Sequence, residues 1–250
     1  DTLVPNPDFD GNIEPALVLR DFGFGPTPGI VTIGGVAQTV TSWTNNMVEF
    51  DRNPASPANG DLVIQRDNGE KTTVGVQVIY EPDLAVGLWV VEQGDVIQDA
   101  LDFASEGDVV VVKSGRYDES LILTKNLRLQ GVGARATVVN GRPSPATRIG
   151  EWQSDVANRV STGEIDLLAD QAFDTVSEVL LTEVAAPLTV FGRGANGIAA
   201  PDSDFSGASA DGLMFTGGNT GGGVFINAFV PGFTLSNNIM SFNDGYLGGG

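Results

Sequence analysis

Short apolar runs broken by turn residues dominate the hydrophobic and polar pattern of this chain. Ala16-Leu17-Val18-Leu19, Ile30-Val31-Thr32-Ile33, Asp61-Leu62-Val63-Ile64 and Val74 to Ile79 are separated by Gly, Asn, Asp and Pro. Runs of this length, rich in β-branched residues, predict strands. Asn68-Gly69 predicts a two-residue hairpin turn, because its residues tolerate positive φ. Pro15 to about Tyr80 therefore reads as a small sandwich. Beyond Glu81-Pro82-Asp83 a helical period appears, with Val96, Ile97, Ala100, Leu101 and Ala104 on one face and Glu106-Gly107-Asp108 ending it. Val109 to Val112, Ser120 to Thr124, Leu127 to Leu129 and Thr137 to Val139 then predict a second series of strands.

Composition sharpens this picture. The 33 glycines and 13 prolines suit turn-rich β architecture, and 250 residues suffice for two ordinary domains. With 32 acidic against 13 basic residues, the formal charge of −19 repels nucleic acid and anionic membrane surfaces. Neither cysteine nor histidine occurs, which removes disulfides, thiolate nucleophiles, Ser-His-Asp triads and imidazole ligands together. No apolar run approaches the roughly 20 residues that span a bilayer. The chain opens on Asp1 without a charged-then-apolar leader, which reads as a processed or excised product.

Phe22-Gly23-Phe24-Gly25, Val31-Thr32-Ile33-Gly34-Gly35, Val40-Thr41-Ser42-Trp43-Thr44, Gly60 to Ile64 and Val76 to Tyr80 follow one another in an order that resembles the IPT/TIG family. The resemblance implies an immunoglobulin-like sandwich serving as spacer or interaction module, without chemistry of its own. A second resemblance starts at Ile97 to Ala104 and continues through Gly107 to Val112, Gly115 to Glu119, Leu127 to Gly133 and Val138 to Gly141. It returns at Ala210 to Phe215 and runs through Gly221 to Asn227 and Leu235 to Ile239. This part is similar to the N-terminal cap and first coils of the pectate-lyase-like right-handed parallel β-helix. The resulting expectation is an all-β chain: an extension over 1–13, a sandwich over 14–80, and a cap helix with β-helix coils over 81–250. An insertion at about 143–187, with a helix-like stretch from Ile165 to Phe173, departs from the coil pattern.

Candidate chemistry is sparse. Many relatives of such β-helices cleave polysaccharides with clustered carboxylates, which must converge within several ångströms. Asp211 and Asp244, with Arg193, are the residues whose convergence across coils would supply such a site, although no Asp-Asp pair marks it and no catalytic residue is assigned. Trp152 and Tyr246 are the aromatic candidates for a glycan-binding reading. Calcium is the one cofactor to consider. Asn6-Pro7-Asp8-Phe9-Asp10-Gly11 imitates the start of a calcium loop, but Leu17 stands where the bidentate Glu belongs. Asp202-Ser203-Asp204 offers two further carboxylates, a pattern that an Asx turn also explains.

Ser236 to Gly250 reads as a coil in progress, whose open edge calls for further coils or another subunit. The functional expectation is a non-catalytic, extracellular or cell-surface protein, adhesin-like or a filament subunit. The alternative is a polysaccharide-active or glycan-binding β-helix protein whose site lies largely outside this chain.

Overall fold

The computed structural model describes residues 2–5, 17–20, 23–71, 76–80, 86–142, 147–167, 185–194, 203–218 and 221–245. It is β-dominated and divides into two compact units, Asp1–Asp83 and Leu84–Gly250.

In the first unit Thr2–Pro5 (β1) pairs antiparallel with Leu17–Arg20 (β2). Ile30–Ile33 (β3), Val36–Ala37 (β4), Thr39–Trp43 (β5), Val48–Asp51 (β6), Asn59–Gln65 (β7) and Val76–Ile79 (β8) follow. β4, β3, β7 and β8 form one antiparallel sheet in that order, and β5 pairs with β6 in another. Alternation along β3 turns Val31 and Ile33 inward, as the sequence pattern requires. Gly34 and Gly35 join β3 to β4 with φ of 54° and 80°, so Ile33 faces Val36 across a two-residue turn. The Asn68-Gly69 turn differs from expectation. Gly69 alone takes positive φ, its N–H donates to the Arg66 carbonyl, and Arg66 N–H donates to the Glu70 carbonyl. The loop is thus one residue longer than a two-residue turn and uses glycine to re-enter the ladder.

The second unit continues with Leu88–Val91 (β9), the helix Ile97–Phe103 (α1), Val109–Val112 (β10), Gly115–Tyr117 (β11), Leu121–Leu123 (β12), Arg128–Gly131 (β13) and Thr137–Asn140 (β14). After the helix Thr147–Ser161 (α2) come Leu188–Val190 (β15), Ser209–Asp211 (β16), Met214–Thr216 (β17), Val224–Ile226 (β18), Thr234–Ser236 (β19) and Ile239–Ser241 (β20). These strands make three sheets whose pairings are all parallel: β19-β16-β13-β10-β9, β11-β14-β17-β20 and β12-β15-β18. From β10 onward the chain lays one strand in each sheet in turn before returning to the first.

The register stacks like with like. Val110, Leu129, Ala210 and Leu235 are successive partners in one sheet, and Tyr117, Val139, Phe215 and Met240 line up in the next. Leu121, Leu188 and Val224 complete the third side of the same core. Glycine is required where neighbouring layers touch: a Cβ on Gly131 would lie 2.3 Å from the Gly212 carbonyl oxygen, and Gly212 itself sits at φ 68°.

α1 buries Ile97 and Leu101 in this core, and its ends are capped by residues distant in sequence. Glu119 accepts hydrogen bonds from the backbone N–H groups of Ile97 (2.9 Å) and Gln98 (3.0 Å). Lys125 Nζ donates to the carbonyls of Leu101, Asp102 and Ala104 at the other end. Charges of these signs also suit the dipole at each terminus.

α2 lies within the segment read as an insertion, but the helix falls earlier than the helix-like stretch expected from Ile165. Ile149, Trp152, Val156 and Val160 recur at helical spacing and give it one apolar stripe. Gly163 at φ 72° ends it: Glu164 N–H reaches the Arg159 carbonyl and Gly163 N–H the Val160 carbonyl, so Ile165 is already outside the helix. Residues 168–173 of that stretch lie outside the described residues. Trp152 and Val156 pack with Ile122, Ile165, Ala185 and Phe191 in a second, smaller core on the outer side of β12.

Candidate functional site

Asp211 closes β16 and is 1% exposed. Its carboxylate accepts from Gln130 Nε2 at 2.6 Å on the preceding layer, and from Ser236 Oγ and Asn237 Nδ2, both at 2.7 Å, on the following one. A carboxylate so enclosed ties three layers together and offers no oxygen to an external substrate. Asp244 follows β20 and is exposed, and its backbone bonds to Gly218 and Gly222. Neighbouring asparagines play the same bridging part: Asn238 spans the Ala210 carbonyl and Leu213 N–H, and Asn243 spans the Phe215 carbonyl and Gly218 N–H.

Arg193 lies in a shallow groove of about 510 Å³ with Glu106, Lys125, Glu164 and Asp204, and not among the residues that hold Asp211. The other charges there are largely committed. Lys125 caps α1, Glu106 accepts from Asn126 N–H, and Glu164 accepts from Thr124 and Arg159. Asp204 accepts from Ser206 N–H in an Asx turn, a bond that holds its carboxyl below the usual range. Among the described residues no group of three or more acidic side chains is placed to hold a metal ion. Asp8, Asp10, Asp202 and Tyr246 lie outside the described residues.

Trp152 is 5% exposed, its ring packed in the α2 core, so it presents no open face for stacking. Its indole N–H has no hydrogen-bond partner among the described residues. The indoles of Trp43 and Trp89 differ in this respect, donating to the Gly25 carbonyl and to Asp108 Oδ2, both at 3.0 Å. An unmet buried donor costs about 1–3 kcal/mol.

Trp152 borders a cavity of about 300 Å³ between the start of α2, the turn before β12 and the first residues of α1. Arg148, Glu151, Trp152 and Asp155 come from one helical face, spaced three and four apart. Asp118, Glu119 and Ser120 face them from the turn. Burial pushes Glu119 up from its ordinary value, against the two α1 amides and Arg148, which favour its charge. Asp118 moves the other way, lowered first by its bond from Asn140 and then by Arg116.

Arg159 joins the two helices. Buried at the end of α2, it reaches Asp102 of α1 at 2.7 Å, Glu164 at 2.6 Å and Asp155 at 3.2 Å. Burial disfavours its charge, but these carboxylates outweigh burial and raise its affinity for the proton. A second feature outside the sequence reading is an aromatic pair on the surface. Trp89 (37% exposed) stacks on Phe103 (74% exposed) with ring centres 6.5 Å apart, the indole held by Asp108.

No protein-family model, curated protein or solved structure matches this chain. No helix among the described residues is long and apolar enough to cross a membrane.

Proposed function

We propose that the second unit is the start of a right-handed parallel β-helix and the first an immunoglobulin-like module of IPT/TIG type, together serving as a non-catalytic structural or adhesin-like protein outside the cell. The single observation that carries this reading is Asp211. One of the two carboxylates that the sequence offers for glycan cleavage is consumed as an internal strut between Gln130 and Asn237. Strands placed one per sheet in repeating order support the β-helix, and the usual handedness of parallel crossovers supports its right-handed sense. For the first unit, Trp43 and Asn45 both bind the Gly25 backbone, joining two of the segments that carry the IPT/TIG resemblance. The acidic, Lys-poor composition suits a solvated surface in salty surroundings. Among the described residues β18, β19 and β20 stand at the edges of their sheets, so this reading has those edges covered by further coils or by another subunit.

Asp211→Leu separates scaffold from enzyme. Removing the strut takes one buried charged acceptor from Gln130, Ser236 and Asn237, and melting should fall by about 5–10 °C. Cleavage of a polysaccharide panel by the unmodified chain, abolished in Asp211→Leu at unchanged melting temperature, would overturn the reading.

A further inference from the structure

β9 leaves one side of its sheet open. Among the described residues it pairs with β10 alone. The second unit begins at Leu84, and Leu84 to Gly87 run straight into the strand, too short a segment to fold back as another layer. The carbonyls of Gly87 and Val91 accept from Val109 and Lys113 on the β10 side. Alternation therefore turns the N–H and C=O groups of Leu88 and Val90 toward the open side. Leu88-Trp89-Val90-Val91 carries no lysine or proline to protect such an edge, and its register on β10 runs without a bulge. Instead the edge is apolar and exposed, with Val90 on one face and Trp89, stacked on Phe103, on the other. Trp89 heads the column of Val110, Leu129 and Ala210, so an apolar row of the sheet ends in the open on an aromatic pair.

Carboxylates flank this ledge. Asp99 and Phe103 lie four apart on one face of α1, and Glu92 follows the strand directly. Neither acid makes a side-chain hydrogen bond or ion pair among the described residues. Asp95 accepts from Glu92 N–H, which closes the open side just beyond Val91. Lys125, at the far end of α1, is committed to three carbonyls. Tyr117 registers the negative field at this end: after burial, the carboxylates of Glu92, Asp95 and Glu119 push its phenol up.

Three properties thus define an occupant. Unpaired backbone groups require an extended strand, the Trp89–Phe103 ledge favours apolar side chains, and the carboxylates favour lysine or arginine. A second copy of the chain brings a charge of −19 and the same acidic rim, so its approach is repelled. We propose that the β9 edge binds an extended segment of a partner protein carrying apolar and basic residues, which adds as a further strand beside Leu88 and Val90. Its apolar side chains extend the Trp89–Phe103 stack and its basic ones meet Glu92 and Asp99. This docking is independent of whether the coils serve as scaffold or enzyme.

The test titrates the intact chain with an acetylated, amidated peptide of alternating lysine and valine, followed by NMR. One comparison peptide has glutamate in place of lysine, and another has N-methylated valines, which keep the side chains but lose backbone N–H groups. The lysine peptide is expected to shift the Leu88 and Val90 amides and the Trp89 indole signal, with a Kd of about 0.1–1 mM. Phe103→Ala, at an exposed position, should leave the fold intact and weaken binding about fivefold. Asp99→Asn should weaken it about threefold at low salt, a difference that disappears near 1 M salt. The proposal is overturned if none of these signals moves at about 10 mM peptide, well above the expected Kd. It is equally overturned if the glutamate or N-methylated peptide binds as tightly, or if Phe103→Ala leaves binding unchanged. Shifts of the same signals on raising protein concentration alone would make a second copy the occupant and overturn it too.

Discussion

Single side chains with several partners carry the strongest commitments in this molecule. Arg159 neutralises three carboxylates at once while lying buried at the end of α2. Arg159→Ala leaves those carboxylates facing one another, and a loss of about 2 kcal/mol is expected in urea unfolding, reduced from the buried-pair value because the acids are partly exposed. Arg159→Lys should restore only part of this, since an ammonium cannot present a planar fork to three acceptors. Asp108 makes a prediction with a defined pH sign. Ser105 N–H, then Trp89 Nε1 and Gly87 N–H, hold its carboxyl below the ordinary value of 3.8, against the opposing effect of burial. A carboxyl depressed in the fold stabilises above its unfolded pKa, and that stabilisation vanishes as pH falls through the folded value. Asp108→Asn should therefore be less stable than the parent at pH 7, by about 1.5 kcal/mol in urea unfolding, and the gap should close as pH falls through the depressed carboxyl value.

At the scale of elements, α1 is too short to persist alone and depends on its borrowed caps. Lys125→Met should raise amide hydrogen exchange across Ile97 to Phe103 about tenfold while leaving β10 and β13 protected, because one charged cap contributes about 1–2 kcal/mol. Legibility followed the same physics. β3, β10, β12 and β14 were readable because apolar runs between turn residues depend only on local pattern. α1 was readable from five apolar positions at helical spacing. α2 was not, since its stripe of Ile149, Trp152, Val156 and Val160 is diluted by Gly150, Arg148, Glu151 and Arg159. The cavity was equally hidden. Trp152 stood out as a residue, but Glu119 and Ser120 meet it and Arg148 only through packing of segments some thirty residues apart. Asp211 was legible as an unusual acid and misleading as chemistry, because its partners lie 81 and 25 residues away.

For the whole molecule, the register of the parallel sheets sets how the second unit responds to load. Ser209 faces Thr234, and Met214 faces Ile239, each 25 residues on. Tension that separates β19 and β20 from β16 and β17 breaks the bonds of one layer and frees one repeat of chain. At roughly 3.5 Å per extended residue, each such release lengthens the tether by about 9 nm. Single-molecule pulling should record this layer as a discrete step, with larger steps where α2 and its flanking segment separate β14 from β15. A chain whose layers yield in sequence dissipates work over a long extension, so the spacing of hydrogen-bonded partners along the sequence becomes a mechanical property: a graded shock absorber with its step lengths written in the register.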